Sequence, residues 1–343
     1  MQWDSFLVHK VAKSRLLPAL LLIFGLLASG VTTTSAATAK IAVLYDLGGR
    51  GDGGINDATA IGVDKAKKKF GLNPLALREI ATDGTDLDRL LKIRFLAKAG
   101  YSPIILVGSG FESSLAVAID EFPEVQFAVI DSARDGQLNL ESMIFNDGEI
   151  GYLAGVLAAS ATKTNKIGIW LDRDRATIHD PLAAFITGAK SIKPKIAVIE
   201  QQYRTDAKVD VASMIDRGAD VIYSTWGATS SVIDLVAIRN TAKKPLRYIG
   251  VFPDQFFLKS SKAKSVLLGA AHKRVDMAAY DLIAMGIKGS TYIDVLNEDR
   301  GIFGREYNLK NGGTDLLIPA LGSKYVSIIL KAENTLKSGK IKL

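Results

Sequence analysis

The sequence predicts an α/β protein with parallel sheets divided between two lobes, and three observations predict it. From residue 40 onward, short apolar runs alternate with segments whose apolar residues recur every three or four positions, the pattern of repeating strand–helix units. Ten strand candidates follow one another, too many for one small open sheet. A stretch rich in small residues, "NDGEIGYLAGVLAASATKTNK" (146–166), then interrupts the series and opens a second one. No Pro/Ser-rich linker lies there, so the halves pack together rather than swing on a tether.

Residues 1–37 read as an export signal and are set aside from the fold. Lys10, Lys13 and Arg15 precede an apolar run of thirteen residues, 16–28, too short to span a bilayer comfortably. Small residues follow, and cleavage after Ala37 would leave Ser35 and Ala37 where the peptidase wants small side chains. The first series of strands is expected at 41–45, 75–80, 104–107, 125–130 and 142–145, with helices between them such as "DATAIGVDKAKKKFG" (57–71) and "DLDRLLKIRFLAKAG" (86–100). The second is expected at 167–171, 196–201, 221–225, 247–251 and 266–271. A further helix, "RVDMAAYDLIAMGIKG" (274–289), and a strand-like "EYNLK" (306–310) come last. Their position suggests lobes made of 38–145 plus about 274–302, and 146–273 plus about 303–343. A chain that crosses between lobes more than once makes a hinge.

Composition narrows the function. The chain has 43 Lys and Arg against 36 Asp and Glu, a formal charge of +7; residues 1–37 hold three of the bases and one acid, which leaves about +5. Lysines are scattered over expected helix faces without a basic stripe interleaved with aromatics, so nucleic acid is not an expected partner, and at most some attraction to an anionic membrane surface follows. The absence of cysteine excludes disulfides, a thiol nucleophile and lipidation on cysteine; after "LAS" (27–29) Gly30 stands where a modified Cys would be. His179 and His272 have no ligand-spaced partners, and no G-x-S-x-G elbow is present. The acid pairs Asp172/Asp174 and Glu298/Asp299 read as loop charges. No catalytic constellation, metal site or cofactor is expected.

The loop in "KIAVLYDLGGRGDGGINDATAIG" (40–62) contains G-x-G-x-x-G at Gly49, Gly51 and Gly54, following a strand and preceding a helix, with Glu79 further on. Asp46 and Asp52 argue against a pyrophosphate there, since the loop would have to offer N–H groups without competing negative charge. Asp46 and Asn56 instead supply an acceptor and a mixed donor and acceptor, suited to a neutral hydroxyl- or amide-bearing molecule. The alternative is a tight turn in which Asn56 or Asp57 only caps the helix. Ligands of open α/β sheets sit outside the carboxyl ends of the strands, which adds Gly108 to Ser113, Asp131, Asp172, Trp226, Phe252 and Lys273. Phe111, Trp226 and Phe252 would either stack on a flat ligand or pack at the edge of the core.

Several landmarks in order resemble one family, the basic membrane protein family of ABC-transporter substrate-binding proteins, whose characterised members include purine-nucleoside receptors. "DLGGRGDGGINDATAIG" resembles its opening D-x-G-G-x-x-D-x-S-F-N-D/Q loop; "FPEVQFAVID", "GEIGYLAGVLAA", "TKTNKIGI", "YIGVFPDQ" and "AAHKRVDMAAYDLI" are similar to later segments, over about 40–310. The resemblance implies a type I periplasmic-binding-protein fold of two Rossmann-like lobes closing on a ligand. Asp46, Asp52 and Asn56 match the family's loop, and Lys273 the Lys of its K-R-V-D motif. Three positions depart: the stacking aromatic is Ile55, the Asp associated with ribose hydroxyls is Phe252 while Asp254 and Gln255 remain, and an Asp after the third strand is Ser113 with Glu112 beside it. The candidate site is thus Asp46, Asn56, Phe111, Glu112, Ser113, Trp226, Phe252, Asp254 and Lys273. The implied function is non-catalytic: an unlipidated periplasmic monomer that delivers a small polar ligand, a nucleoside foremost, to an ABC permease. A sugar or other metabolite receptor, an enzyme of nucleoside or sugar metabolism, and a sensor subunit remain as alternatives.

Overall fold

The computed structural model describes residues 39–135, 137–171, 178–204, 206–225, 230–252 and 261–343. In chain order the first half runs β1 (Ile41–Tyr45), α1 (Ile55–Phe70), β2 (Leu77–Ala81), α2 (Asp86–Lys98), β3 (Ile104–Val107), α3 (Glu112–Glu121), β4 (Phe127–Ile130) and β5 (Leu140–Phe145). The second half holds α4 (Asp147–Ala161), β6 (Lys166–Leu171), α5 (Pro181–Ile192), β7 (Ala197–Gln202), α6 (Ala207–Asp216), β8 (Val221–Ser224), α7 (Ser230–Arg239), β9 (Arg247–Phe252), α8 (Ser261–Lys264) and β10 (Leu267–Lys273). The chain ends with α9 (Val275–Lys288), β11 (Asp294–Asn297), β12 (Ile302–Tyr307), β13 (Thr314–Leu317) and α10 (Val326–Lys337).

Two sheets result. The first has the order β11-β12-β5-β4-β3-β1-β2 and the second β13-β10-β9-β8-β6-β7, parallel throughout except at the edge strands β11 and β13. Central strands such as "IAVLY" and "IILV" are buried along their whole length, because helices cover both faces and leave no face to alternate with water. Helix starts follow from local chemistry. Thr85 accepts from the Asp88 N–H at the head of α2, and Asp180 accepts from the N–H groups of Leu182 and Ala183, with Pro181 in the first turn of α5. The helices α4 and α5 meet backbone to backbone, since a Cβ on Gly155 would overlap the Phe185 carbonyl and one on Gly188 the carbonyl of Tyr152.

Differences from the sequence reading have local causes. The strand expected from residue 75 starts at Leu77, because the Asn73 side chain accepts from the N–H groups of Leu75 and Ala76 and holds them in a turn. Residues 306–310 are only partly strand. The strand is β12, which starts four residues earlier and ends at Tyr307, and whose Gly304 (φ 142°) lies against the Ser142 backbone of β5. The last return to the second half therefore falls after Tyr307, at residues 308–313, rather than near 303.

Three segments connect the sheets: Asn146, Arg274 and 308–313. They are stitched side by side. Asn146 N–H donates to Tyr307 O (2.9 Å), Arg274 N–H to Gly313 O (2.9 Å) and Leu309 N–H to the Glu149 carboxylate (2.8 Å). Glu306 accepts from the amides of Asn146 (3.1 Å) and Asn308 (3.2 Å), while its other oxygen meets His179 Nε2 at 3.2 Å. Burial opposes ionisation of Glu306, yet these partners hold its pKa below the ordinary value; burial pushes Glu149 up.

Candidate functional site

The strand order reverses between β1 and β3 in the first sheet and between β6 and β8 in the second, and such switch points open a crevice at the carboxyl ends. In the first half that crevice begins with the glycine loop. Gly48, Gly49, Gly51 and Gly53 all have positive φ, a region where a Cβ is strained, so the loop can fold back tightly. Its N–H groups then turn to the chain's own carboxylates. Asp52 accepts from Gly54 (2.7 Å), Asn56 (3.3 Å) and Asp57 (3.2 Å), and Asp57 accepts from Gly51 (2.6 Å) and Gly53 (2.9 Å). Asp52 and Asp57 occupy the nest of donors that a pyrophosphate would need.

Asn56 is 1% exposed, and its side chain is spent on the loop. Its Oδ1 accepts from Asp46 N–H (3.3 Å), and its Nδ2 donates to Asp46 O (3.4 Å) and Leu47 O (3.3 Å). It neither caps α1 nor points its amide at open space; it braces the loop that carries Asp46. Arg50, from the same loop, reaches Asp64 on α1 (2.7 Å) and Glu79 on β2 (2.6 Å), and Glu79 also pairs with Lys67 and accepts from Tyr45. These contacts lock the loop onto the sheet.

Asp46 is held by a residue that the sequence did not mark. Arg89 on α2 donates from Nε to Oδ1 and from Nη2 to Oδ2, each at 2.9 Å, and Thr82 Oγ1 adds a third bond at 3.1 Å. This two-pronged geometry fixes the carboxylate's orientation, leaving the Asp46 side chain 21% exposed. Arg89 also lies 5.6 Å from the Phe111 ring centroid. Gly110 completes the arrangement, because a Cβ there would overlap Asp46 Oδ2. Phe111 itself is 0% exposed in the core between the first sheet and helices α2 and α3, so it supports Arg89 instead of offering a face to a ligand. Glu112 is half-buried, and burial raises its pKa against the pull of Arg134 and Arg300; Ser113 is exposed.

Lys273 ends β10 and is 5% exposed. Its ammonium lies 2.9 Å from Asp131, just past β4 in the first sheet, and 2.6 Å from Asp147, where α4 starts. A cation at the carboxyl edge of one sheet is thus clamped by a carboxylate at the carboxyl edge of the other, which brings the two edges face to face. Asp131 has φ 62°, a conformation to which short polar residues are best suited. Trp226 and Asp254, together with the Phe252 side chain, lie outside the described residues; the Phe252 backbone closes β9 opposite His272. Asp46 and Lys273 therefore sit at the carboxyl edges, one in each half, Asn56 and Phe111 stand behind Asp46, and Arg89, Thr82 and Asp147 are additions from the structure. Only the acid-and-base spacing of α2 could have hinted at Arg89.

Known proteins resemble this chain over most of its length. A family model described as PnrA-like ABC transporter substrate-binding protein (Bmp) matches residues 39–297. The chain belongs to this family. An ABC transporter nucleoside-binding protein, BmpA of Lactococcus lactis subsp. cremoris, is 28% identical over 334 residues, covering 92% of this chain and 91% of its own. A CD4+ T-cell-stimulating antigen of Listeria monocytogenes is 30% identical, covering 71% of this chain and 72% of its own. A solved solute-binding protein of an ABC transporter system from Aeropyrum pernix K1 superposes with a TM-score of 0.66 at 22% identity, covering 89% of this chain and 92% of that one. The fold is that of the type I periplasmic binding proteins. The Bmp family comprises solute-binding proteins that act outside the cytoplasm with ABC transporters rather than a class of enzymes, and among the described residues no helix is long and apolar enough to cross a membrane.

Proposed function

We propose that this Bmp-family protein is an exported receptor that captures a nucleoside between its two lobes and delivers it to an ABC permease, with residues 1–37 removed as the export signal. The observation that carries the reading is that each half presents an oriented charge at the carboxyl edge of its sheet, Asp46 held by Arg89 and Lys273 held by Asp131 and Asp147. A partly exposed carboxylate with fixed oxygens offers acceptors to ligand hydroxyls, and a rim held by Arg89 and Asn56 costs little further ordering when the ligand arrives. The Lactococcus relative's description as nucleoside-binding points to the ligand class. Ile55 is partly buried against the first-half core, so the base would have to stack elsewhere, with Phe252 and Trp226 the aromatic candidates.

A sugar or another small polar metabolite is the second reading, favoured by the loss of an aromatic at position 55. Calorimetric titration of ligand-stripped residues 38–343 with adenosine, guanosine, inosine, uridine, pentoses and hexoses separates the two. Submicromolar nucleoside binding, with compaction in small-angle scattering as the lobes close, is the expected result. A folded sample that binds no nucleoside but binds a sugar overturns the nucleoside assignment and keeps the receptor; turnover of a candidate ligand overturns the receptor.

A further inference from the structure

The lysines that look scattered in the sequence are gathered by the topology of the second half. Its five parallel strands β6 to β10 all begin at one edge, the edge opposite the candidate cleft. Each segment leading into that edge brings an exposed base: Lys163, Lys195, Arg217, Lys244 and, from α8, Lys264. Among the residues of these connections the one carboxylate is Asp220, and it is unavailable. It is 6% exposed and accepts from Thr162 Oγ1 and from the N–H groups of Lys163 and Thr164.

At this pole a hollow of about 500 Å³ is rimmed by Lys163, Arg239, Lys243 and Lys244 over an apolar floor that includes Ile215 and Leu246. Among the described residues the one ion pair on the rim is Arg239 with Asp216, at 2.7 Å. A smaller hollow of about 170 Å³ shares Lys163 and adds Arg247 and Lys324. Beyond residue 37 the chain has a net charge of about +5, and around these two hollows the bases outnumber the carboxylates Asp216 and Asp220.

We infer that this edge is a docking surface for an anionic phospholipid bilayer. This goes beyond the ligand reading and does not depend on which solute the cleft takes. Three observations favour a bilayer over other anions. The bases span the width of five strands, roughly 20 Å at about 4.8 Å per strand, which suits a sheet of headgroups better than a compact phosphate ion. The connections carry no aromatic residue, and the lining of the two hollows adds one, Tyr325, too few for a run of stacked nucleic-acid bases. The apolar floor can accept the glycerol and upper acyl region below a headgroup. A receptor that serves an importer works beside a membrane.

The test is cosedimentation of residues 37–343, which form one compact unit, with vesicles of phosphatidylcholine alone or mixed with phosphatidylglycerol. Binding to the mixed vesicles only, weakening as salt rises, is expected. Each lysine near an anionic leaflet is worth a factor of roughly five, so the variant Lys163→Gln/Lys243→Gln/Lys244→Gln should lose on the order of a hundredfold in partitioning. The charge-matched variant Lys68→Gln/Lys69→Gln/Lys98→Gln, altered on the first half, should bind like the parent. Equal loss in both variants, no binding of the parent to mixed vesicles, or tighter binding to duplex DNA or to inorganic phosphate than to vesicles overturns the assignment.

Discussion

Replacing Glu141 by Gln should change how stability depends on pH, by an amount that follows from one buried carboxyl. Glu141 lies in β5, is 4% exposed, and accepts a bond from Tyr292 N–H at 2.8 Å. Burial pushes its pKa from 4.5 to about 7, with the Tyr292 bond pulling the other way. The folded state therefore holds this proton more tightly than the unfolded chain. The stabilisation from Glu141 is fully present below pH 4.5 and is lost as pH rises to about 7. The full span corresponds to about 3 kcal/mol. Gln keeps the shape and the acceptor for Tyr292 but cannot ionise. Urea unfolding of both proteins in parallel from pH 4 to 8 isolates the difference, because every other titrating group is common to both. The Gln variant should gain on the parent by about 3 kcal/mol across that range, with most of the change between pH 5 and 7. A difference that stays constant with pH would refute the reasoning and mean that water or a cation reaches the Glu141 carboxylate.

Three further substitutions probe the rim and the hinge. Lys273→Met should cost about 3–5 kcal/mol by leaving Asp131 and Asp147 without their cation, and adding Asp131→Asn and Asp147→Asn should recover more than half of it in urea melts; a loss that the added changes leave unrepaired would assign Lys273 a different role. Gly110→Ala should push Asp46 and Arg89 apart and cost about 1–3 kcal/mol, seen as a lowered unfolding midpoint and weaker ligand binding; an unchanged midpoint would show that the rim yields freely. Asn56→Ala strips partners from the backbone of Asp46 and Leu47 and should lower stability by about 1–3 kcal/mol. A loss of ligand affinity in that variant without a loss of stability would instead place Asn56 in direct contact with the ligand.

The parallel architecture is legible in the sequence because buried strands such as 41–45 and 104–107 are continuous apolar runs set between helices with clear periodicity. The strands that escape notice are those at or near sheet edges. Of β12 only Glu306 and Tyr307 fall in the strand expected at 306–310, while β11 and β13 are each only four residues long. Positions at the carboxyl edges are equally legible, for strand ends mark them: Asp46 and Lys273 stand there. What those residues hold is not legible. Arg89 is 43 residues from Asp46, and Asp131 is 142 residues from Lys273, so no local pattern joins either pair. The G-x-G-x-x-G spacing is informative about backbone conformation but silent about what fills the nest, which Asp52 and Asp57 decide.

The three crossings between sheets set the order in which the molecule can be finished. From the N-terminus onward, the chain supplies all five parallel strands of the second sheet before α9, β11 and β12 arrive to complete the first half. Until residue 288 has been made, the face of α1 that packs against α9 has no cover, and β5 lacks its neighbour β12 until residue 307. The first half is thus completed only after the parallel strands of the second sheet have been made, whereas the first of two domains laid end to end would be complete before its neighbour began.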